Sequence, residues 1–264
     1  MYKQNKLSIG IFDSGVGGFS VLKEIIKVIP DTPIYYVADN EFAPYGEKSD
    51  DEIIERSVFI TNKLMEQGVN IVIVACNSAT AAAIATLREK FSIPFIGIEP
   101  YINIHNQMPG TENERKYSVL TTELTANAQK FIELKKKLDP DCRVAHYTCP
   151  GLASDIEQAY QTGMTDELKQ KIINDLSHLK NKKYTHAILG CTHYPLIAPL
   201  IESELQVDCI CPGNNVAKQT RNILQKEGLL DELSSENIIE SFDFFSTKDN
   251  TWQKRSTTEL NLIF

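Results

Sequence analysis

Short, nearly continuous apolar runs recur along the chain, at 7–12, 34–38, 71–75, 95–98, 118–121, 144–147, 186–190 and 207–210. Longer stretches with helical spacing lie between them, at 50–67, 79–90, 125–138, 166–179 and 195–204. An apolar run without polar alternation suits a strand buried on both faces, and that burial arises when helices cover both sides of a parallel sheet. The pattern therefore predicts an α/β chain, and this many strands suit two modest sheets better than one long one. Ser49 and Glu52 are spaced as a capping box that opens the helix at 50–67.

At 264 residues the chain is long enough for two domains of about 100–150 residues each. The rhythm breaks at 99–116, which holds Pro100, Pro109, Gly110 and a polar run, so a domain boundary is expected near its start. After Gly228 the pattern is less regular, and Asp243-Phe244-Phe245 reads as a last strand or a packed loop. A net charge of −8 argues against a broad nucleic-acid surface, which needs a basic excess to displace counterions. No apolar run approaches the ~20 residues that span a bilayer. The opening MYKQNK leads into a strand without a signal-peptide core, so a cytoplasmic location is expected. The cysteines at 76, 142, 149, 191, 209 and 211 are scattered, which suggests free thiols rather than a disulfide framework. Cys209 and Cys211 have no second Cys/His pair at zinc spacing; alternating strand residues explain them, and no metal site is expected.

Three strand ends carry chemistry. The first, "IFDSGVGG" (11–18), resembles a phosphate cradle, but the dinucleotide fingerprint fails because Ser20 stands where its third glycine belongs. A Walker A loop fails too, since no Gly-Lys-Ser/Thr follows. The other two match each other: "IVIVACNSA" and "HAILGCTHY" each run from apolar strand to small residue, cysteine and hydrogen-bonding residues. Cys76 and Cys191 thus fall at carboxyl ends of predicted parallel strands, where open α/β sheets place their ligands. A following helix would favour a thiolate at each. Such a cysteine can be a nucleophile, a redox partner, a metal ligand or a proton-transfer base. A facing pair suits inversion at an acidic carbon, one thiolate removing a proton while the other thiol delivers one to the opposite face. His193 is a candidate proton partner for Cys191, and Asp13 for Cys76. Cys142, Cys149, Cys209 and Cys211 read as inert small hydrophobes. A solute-binding protein would also clasp a ligand between two α/β domains, but it normally carries an export signal and needs no paired thiols.

The motifs "GIFDSGVGG" (10–18), "PYG" (44–46), "VACNSA" (74–79) and "LGCTHYPLI" (189–197) resemble those of bacterial glutamate racemases, in the cofactor-independent aspartate/glutamate racemase superfamily. The resemblance implies two similar domains, 1–98 completed by 209–264 and 99–208, with the active site in the cleft between them. It implies racemisation of glutamate without a cofactor, for peptidoglycan synthesis. Cys76 would act on D-glutamate and Cys191 on L-glutamate, assisted by Asp13, His193 and Glu157. Substrate contacts carried over are Asp13, Ser14, Tyr45, Gly46, Asn77, Ser78, Thr125, Thr192 and His193. Ser78 departs from the usual threonine but keeps its hydroxyl. Aspartate racemase, or another small-diacid isomerase, is the alternative within the superfamily; His193 in "CTHYP" favours glutamate by analogy. Family members commonly form homodimers in differing arrangements.

Few Lys or Arg lie near these motifs, so substrate carboxylates would have to be held by backbone N–H groups, hydroxyls and amides. On that reading the glycines of "DSGVGG" let the backbone turn tightly and bring a helix N-terminus to a substrate carboxylate.

Overall fold

A computed structural model describes residues 7–108, 115–230 and 239–260. The opening MYKQNK, Pro109, Gly110 and most of the polar run after them lie outside the described residues.

Each expected apolar run forms a strand: β1 (Ile9–Asp13), β2 (Ile34–Ala38), β3 (Ile71–Val74), β4 (Phe95–Gly97), β5 (Tyr117–Thr121), β6 (Val144–Thr148), β7 (His186–Leu189) and β8 (Asp208–Ile210). A terminal hairpin adds β9 (Ser241–Ser246) and β10 (Thr251–Ser256). The first sheet has the order β10-β9-β2-β1-β3-β4 and the second β6-β5-β7-β8. All pairings are parallel except β10 with β9.

Both faces of the first sheet are covered, which is why its strands lack polar alternation. Ile9, Ile11, Tyr36 and Ile73 face one apolar cluster, while Phe12, Val37, Val72 and Val74 face the other. Each such side chain stabilises the fold by roughly 1.5–3 kcal/mol when fully buried. The first cluster continues into the second domain through Leu120, Leu189 and Ile201. The opposite face of the second sheet packs Val119, Val144 and Ile188 against Phe131 and Ile102.

The chain enters the second domain after β4 and returns after β8, when the helix Gly213–Lys226 packs on the helix Phe19–Val28. The parallel pairing of β9 with β2 then completes the first sheet, with Phe244 opposite Tyr36. Because β8 pairs with β7, a boundary at 208/209 would cut a strand of the second sheet.

The capping box forms as expected: Ser49 Oγ accepts from Glu52 N–H at 3.3 Å, and Glu52 Oε2 accepts from Ser49 N–H at 2.9 Å. It opens the helix Asp50–Met65. The helix expected over 125–138 is instead two pieces, Glu123–Asn127 and Gln129–Leu138. Thr122 Oγ1 caps the first by accepting from Thr125 N–H at 3.3 Å, and Ala128 is extended (φ −65°, ψ 128°).

Candidate active site

A cleft of about 440 Å³ opens between the two domains, within the usual size range of ligand pockets. Strand ends β1, β3, β5 and β7 all point into this region, as expected for parallel sheets. Among the described residues lining it there is no Lys or Arg. Ser14, Tyr45, Gly46, Cys76, Asn77, Ser78, Thr125, Glu157, Cys191, Thr192 and His193 all line it. Of the expected site residues only Asp13 does not; it is fully buried directly behind the lining.

Cys76 is the N-cap of the helix Asn77–Lys90. Its sulfur accepts from Ala79 N–H at 3.5 Å, and its S–H lies 3.9 Å from Ser14 Oγ. Burial pushes the thiol well above its ordinary range, and the nearby Asp13 charge pushes it further, against the helix N–H. Asp13 makes its direct bonds elsewhere. Its Oδ2 accepts from Gly15 N–H at 3.1 Å and its Oδ1 from the Thr192 hydroxyl at 3.0 Å. Burial raises the Asp13 carboxyl despite those donors and the His193 charge. Asp13 therefore acts on Cys76 through space, and the hydroxyl beside the thiol is Ser14.

Cys191 is set differently. Gly190 lets the end of β7 approach the β5 backbone, since a Cβ there would sit 2.7 Å from Leu120 O. The next element after the cysteine is a short 3₁₀ turn, Tyr194–Ile197, and not an α-helix directly. The thiol's partner is the ring of His193, with Nδ1 at 3.9 Å. His193 Nε2 meets Glu157 Oε2 at 2.8 Å. Burial alone would lower the imidazole, but its bonds to Cys191 and Glu157 outweigh that and raise it well above the ordinary histidine value. Burial pushes Glu157 the other way, yet its bonds to His193 and Val16 N–H hold it below the usual carboxylate range. The result is a buried imidazolium–carboxylate pair behind Cys191.

The glycine loop has a role that differs from the expected one. Its N–H groups hold the protein's own carboxylates: Gly15 N–H on Asp13, and Val16 N–H on Glu157 Oε2 at 2.9 Å. None of the three glycines has a positive φ, so a tight turn is not their purpose. They permit close approach. A Cβ on Gly15 would overlap the Glu157 carboxylate, and one on Gly17 would overlap the His193 ring and lie 2.7 Å from Thr192 Oγ1. Tyr36 fixes the loop by donating to Gly15 O at 2.8 Å.

The remaining contacts divide in two. Asn77 is a lining residue whose two amide atoms are both buried without a hydrogen-bond partner. Ser78 and Thr125 meet across the domains at 3.4 Å, and Thr122 donates to Thr125 at 3.1 Å. Tyr45 directs its hydroxyl away, to Asp39 Oδ2 at 2.7 Å, so its backbone and ring face the cleft. On the wall formed by the helix Leu152–Thr162, sequence reasoning named Glu157 but missed Ser154, Gln158 and Gln161. The Pro150-Gly151 pair that turns into it was the available signal, and Gly151 is left-handed (φ 75°). Cys149, read as inert, also lines the cleft; burial and the nearby Cys191 push its thiol up to about 12. All six cysteines are free.

Comparisons with known proteins agree with this geometry. The family model described as Asp/Glu/Hydantoin racemase matches residues 13–220. Glutamate racemase of Ectopseudomonas mendocina is 41% identical over 233 residues, covering 86% of each chain. That of Listeria monocytogenes serotype 4a is 35% identical over 235 residues, covering 88% of this chain and 86% of its own. Among solved structures, a glutamate racemase of Bacillus anthracis superposes with TM-score 0.75 at 32% identity, over 96% of this chain and 91% of that one. The Escherichia coli enzyme, solved with L-glutamate and the activator UDP-MurNAc-Ala, superposes with TM-score 0.78 at 26% identity, over 91% and 89%. Matching over most of its length, and with paired thiols at the cleft, the chain belongs to the Asp/Glu/hydantoin racemase family.

Proposed function

We propose that the chain interconverts L- and D-glutamate by a two-base proton transfer that uses no cofactor. The observation that carries this reading is the placement of Cys76 and Cys191, from different sheets, on one cleft, with Cys191 beside His193 and Cys76 within the field of Asp13. With D-glutamate bound, the Cys76 thiolate takes the α-proton and the Cys191 thiol donates one to the opposite face. The enzyme is left with a Cys76 thiol and a Cys191 thiolate, the state required for L-glutamate. Asp13, whose carboxyl burial raises, serves as proton relay for Cys76. His193, held by Glu157, serves Cys191. The substrate carboxylates fall to Asn77, the hydroxyls of Ser14, Ser78, Thr125 and Thr192, and the backbone at Tyr45-Gly46, which suits a cleft lined without Lys or Arg.

Both thiols must stay reduced for this cycle, which fits a cytoplasmic enzyme supplying D-glutamate for peptidoglycan. No helix among the described residues is long and apolar enough to cross a membrane. Among the described residues, we assign 7–98 and those from 211 onward to the first domain, since β8 pairs with β7 in the second.

The test is purified protein with no added pyridoxal phosphate, metal or nucleotide, followed by circular dichroism with each enantiomer of glutamate and of aspartate. Loss of optical activity from both glutamate enantiomers is expected. Inversion of aspartate in preference to glutamate, or of neither, would overturn the reading.

A further inference from the structure

The wall of the cleft at residues 40–47 is tied to the outside of the first domain by one buried carboxylate. Asp39 is fully buried at the end of β2, and its N–H donates to Asp13 O at 2.9 Å, so it is part of the same backbone frame as the site. Its carbonyl accepts from both Phe42 and Ala43 N–H at 3.1 Å, which sets the turn leading to Pro44-Tyr45-Gly46. Its carboxylate receives three donors: the Tyr45 hydroxyl at 2.7 Å, Arg56 Nε at 2.9 Å and the Arg56 Nη2. Arg56 rises from the helix Asp50–Met65, outside the cleft lining, and its guanidinium lies over the rings of Phe42 at 5.2 Å and Phe59 at 4.9 Å. Phe42 in turn meets Tyr45 edge-on at 6.2 Å.

A fork-shaped two-point bond to a buried carboxylate fixes orientation as well as charge. With the Tyr45 hydroxyl held on that same carboxylate, the only polar groups this wall can offer from Tyr45 and Gly46 are backbone groups. Building on the proposed glutamate racemisation, we propose that Arg56 is a positioning residue: through Asp39 and Tyr45 it sets where the Tyr45-Gly46 backbone meets the substrate. Arg56 touches neither thiol nor the relay groups, so its effect falls on substrate binding and leaves proton transfer unaltered.

Arg56→Lys, Arg56→Met and Tyr45→Phe, assayed beside wild type with both enantiomers, test this. Lysine keeps the positive charge but loses the fork, and phenylalanine keeps the ring but loses the hydroxyl. Arg56→Lys and Tyr45→Phe are each expected to raise KM for both enantiomers about tenfold, the scale of one lost bond to a charged group. Arg56→Met should raise KM at least as far as the lysine variant, while kcat stays within about threefold and its pH profile does not move. Unchanged KM in Arg56→Lys and Tyr45→Phe, with only a lower melting temperature, would overturn the role. So would a fall in kcat with a displaced pH limb. If Arg56→Met does not fold, Tyr45→Phe decides the matter. Wild-type protein that inverts neither enantiomer would instead overturn the racemase reading, a distinct result.

Discussion

The two halves of the cleft prepare a thiol for proton transfer by opposite physical means. Around Cys76, readiness comes from burial and uncharged dipoles: Asp13 is held by one N–H and one hydroxyl, and desolvation raises its carboxyl. Around Cys191 it comes from an ion pair, His193 with Glu157, whose charges offset the burial of each. Each carboxylate is also held by a donor from the opposite domain: Thr192 reaches across to Asp13, and Val16 N–H to Glu157. Neither half is complete in one domain, so the packing of the two domains against each other assembles both relays together. Since the two enantiomers are equally stable in water, kcat/KM must be equal in the two directions for any variant. The difference between the halves therefore shows in pH dependence and in which step slows, never in the ratio of efficiencies.

The largest effect should come from removing a thiol. Cys76→Ala or Cys191→Ala should each lower racemisation about 10⁴-fold, the upper range for one acid–base group. Near wild-type turnover in either variant, measured by circular dichroism, would break the pairing outright. Gly17→Ala comes next, because its new methyl would displace the His193 ring and crowd Thr192 at once. A displacement near 1 Å costs about 10²-fold, and both halves should suffer, visible as lower kcat with the fold retained.

Glu157→Gln separates the halves. Removing its charge lets His193 lose its proton more readily, so the limb of the kcat/KM profile that reports His193 moves to lower pH. At pH values above the limb, activity should fall about tenfold for each unit the limb moves. Stability follows the same pair. A raised His193 contributes stability that is present below about pH 6.5 and lost as pH rises through its folded value. A lowered Glu157 contributes stability that is present above about pH 4.3 and lost as pH falls through its folded value. The stability gap between wild type and Glu157→Gln, measured by urea unfolding, should be widest between those limits and approach about 3 kcal/mol. Tyr36→Phe should have the smallest effect, about fivefold in kcat, since it removes one neutral hydrogen bond from the loop that serves both halves.

How much of the molecule was legible in the sequence depends on how local each cause is. The strands β1 to β8 were legible because burial on both faces writes a continuous apolar run. The hairpin was legible only in part: Asp243-Phe244-Phe245 read as a last strand or a packed loop and lies in β9, whereas β10 carries Gln253, Lys254 and Arg255 at an exposed edge. The helix at 125–138 read as unbroken because no Gly or Pro marks Ala128. The Thr122 cap starts a first piece that ends where Ala128 turns extended, and Thr125 within that piece lines the cleft. Cys76, Cys191 and His193 were legible because they sit next to strand ends in sequence. The partner of Glu157 was not, because the contact with Val16 joins residues far apart in the chain and rests on a side chain that Gly15 lacks. The anion held by the loop is thus internal, which local reading of a glycine-rich turn has no means to distinguish from a bound ligand.

The central claim is that different groups serve the two faces of the α-carbon. Racemisation of L-glutamate in deuterium oxide, stopped at low conversion and analysed by mass spectrometry of the separated enantiomers, tests it most directly. The account predicts that newly formed D-glutamate carries deuterium at the α-carbon while the remaining L-glutamate keeps its protium. D-glutamate that retains the substrate's own proton, or L-glutamate that exchanges as fast as D-glutamate forms, would contradict it.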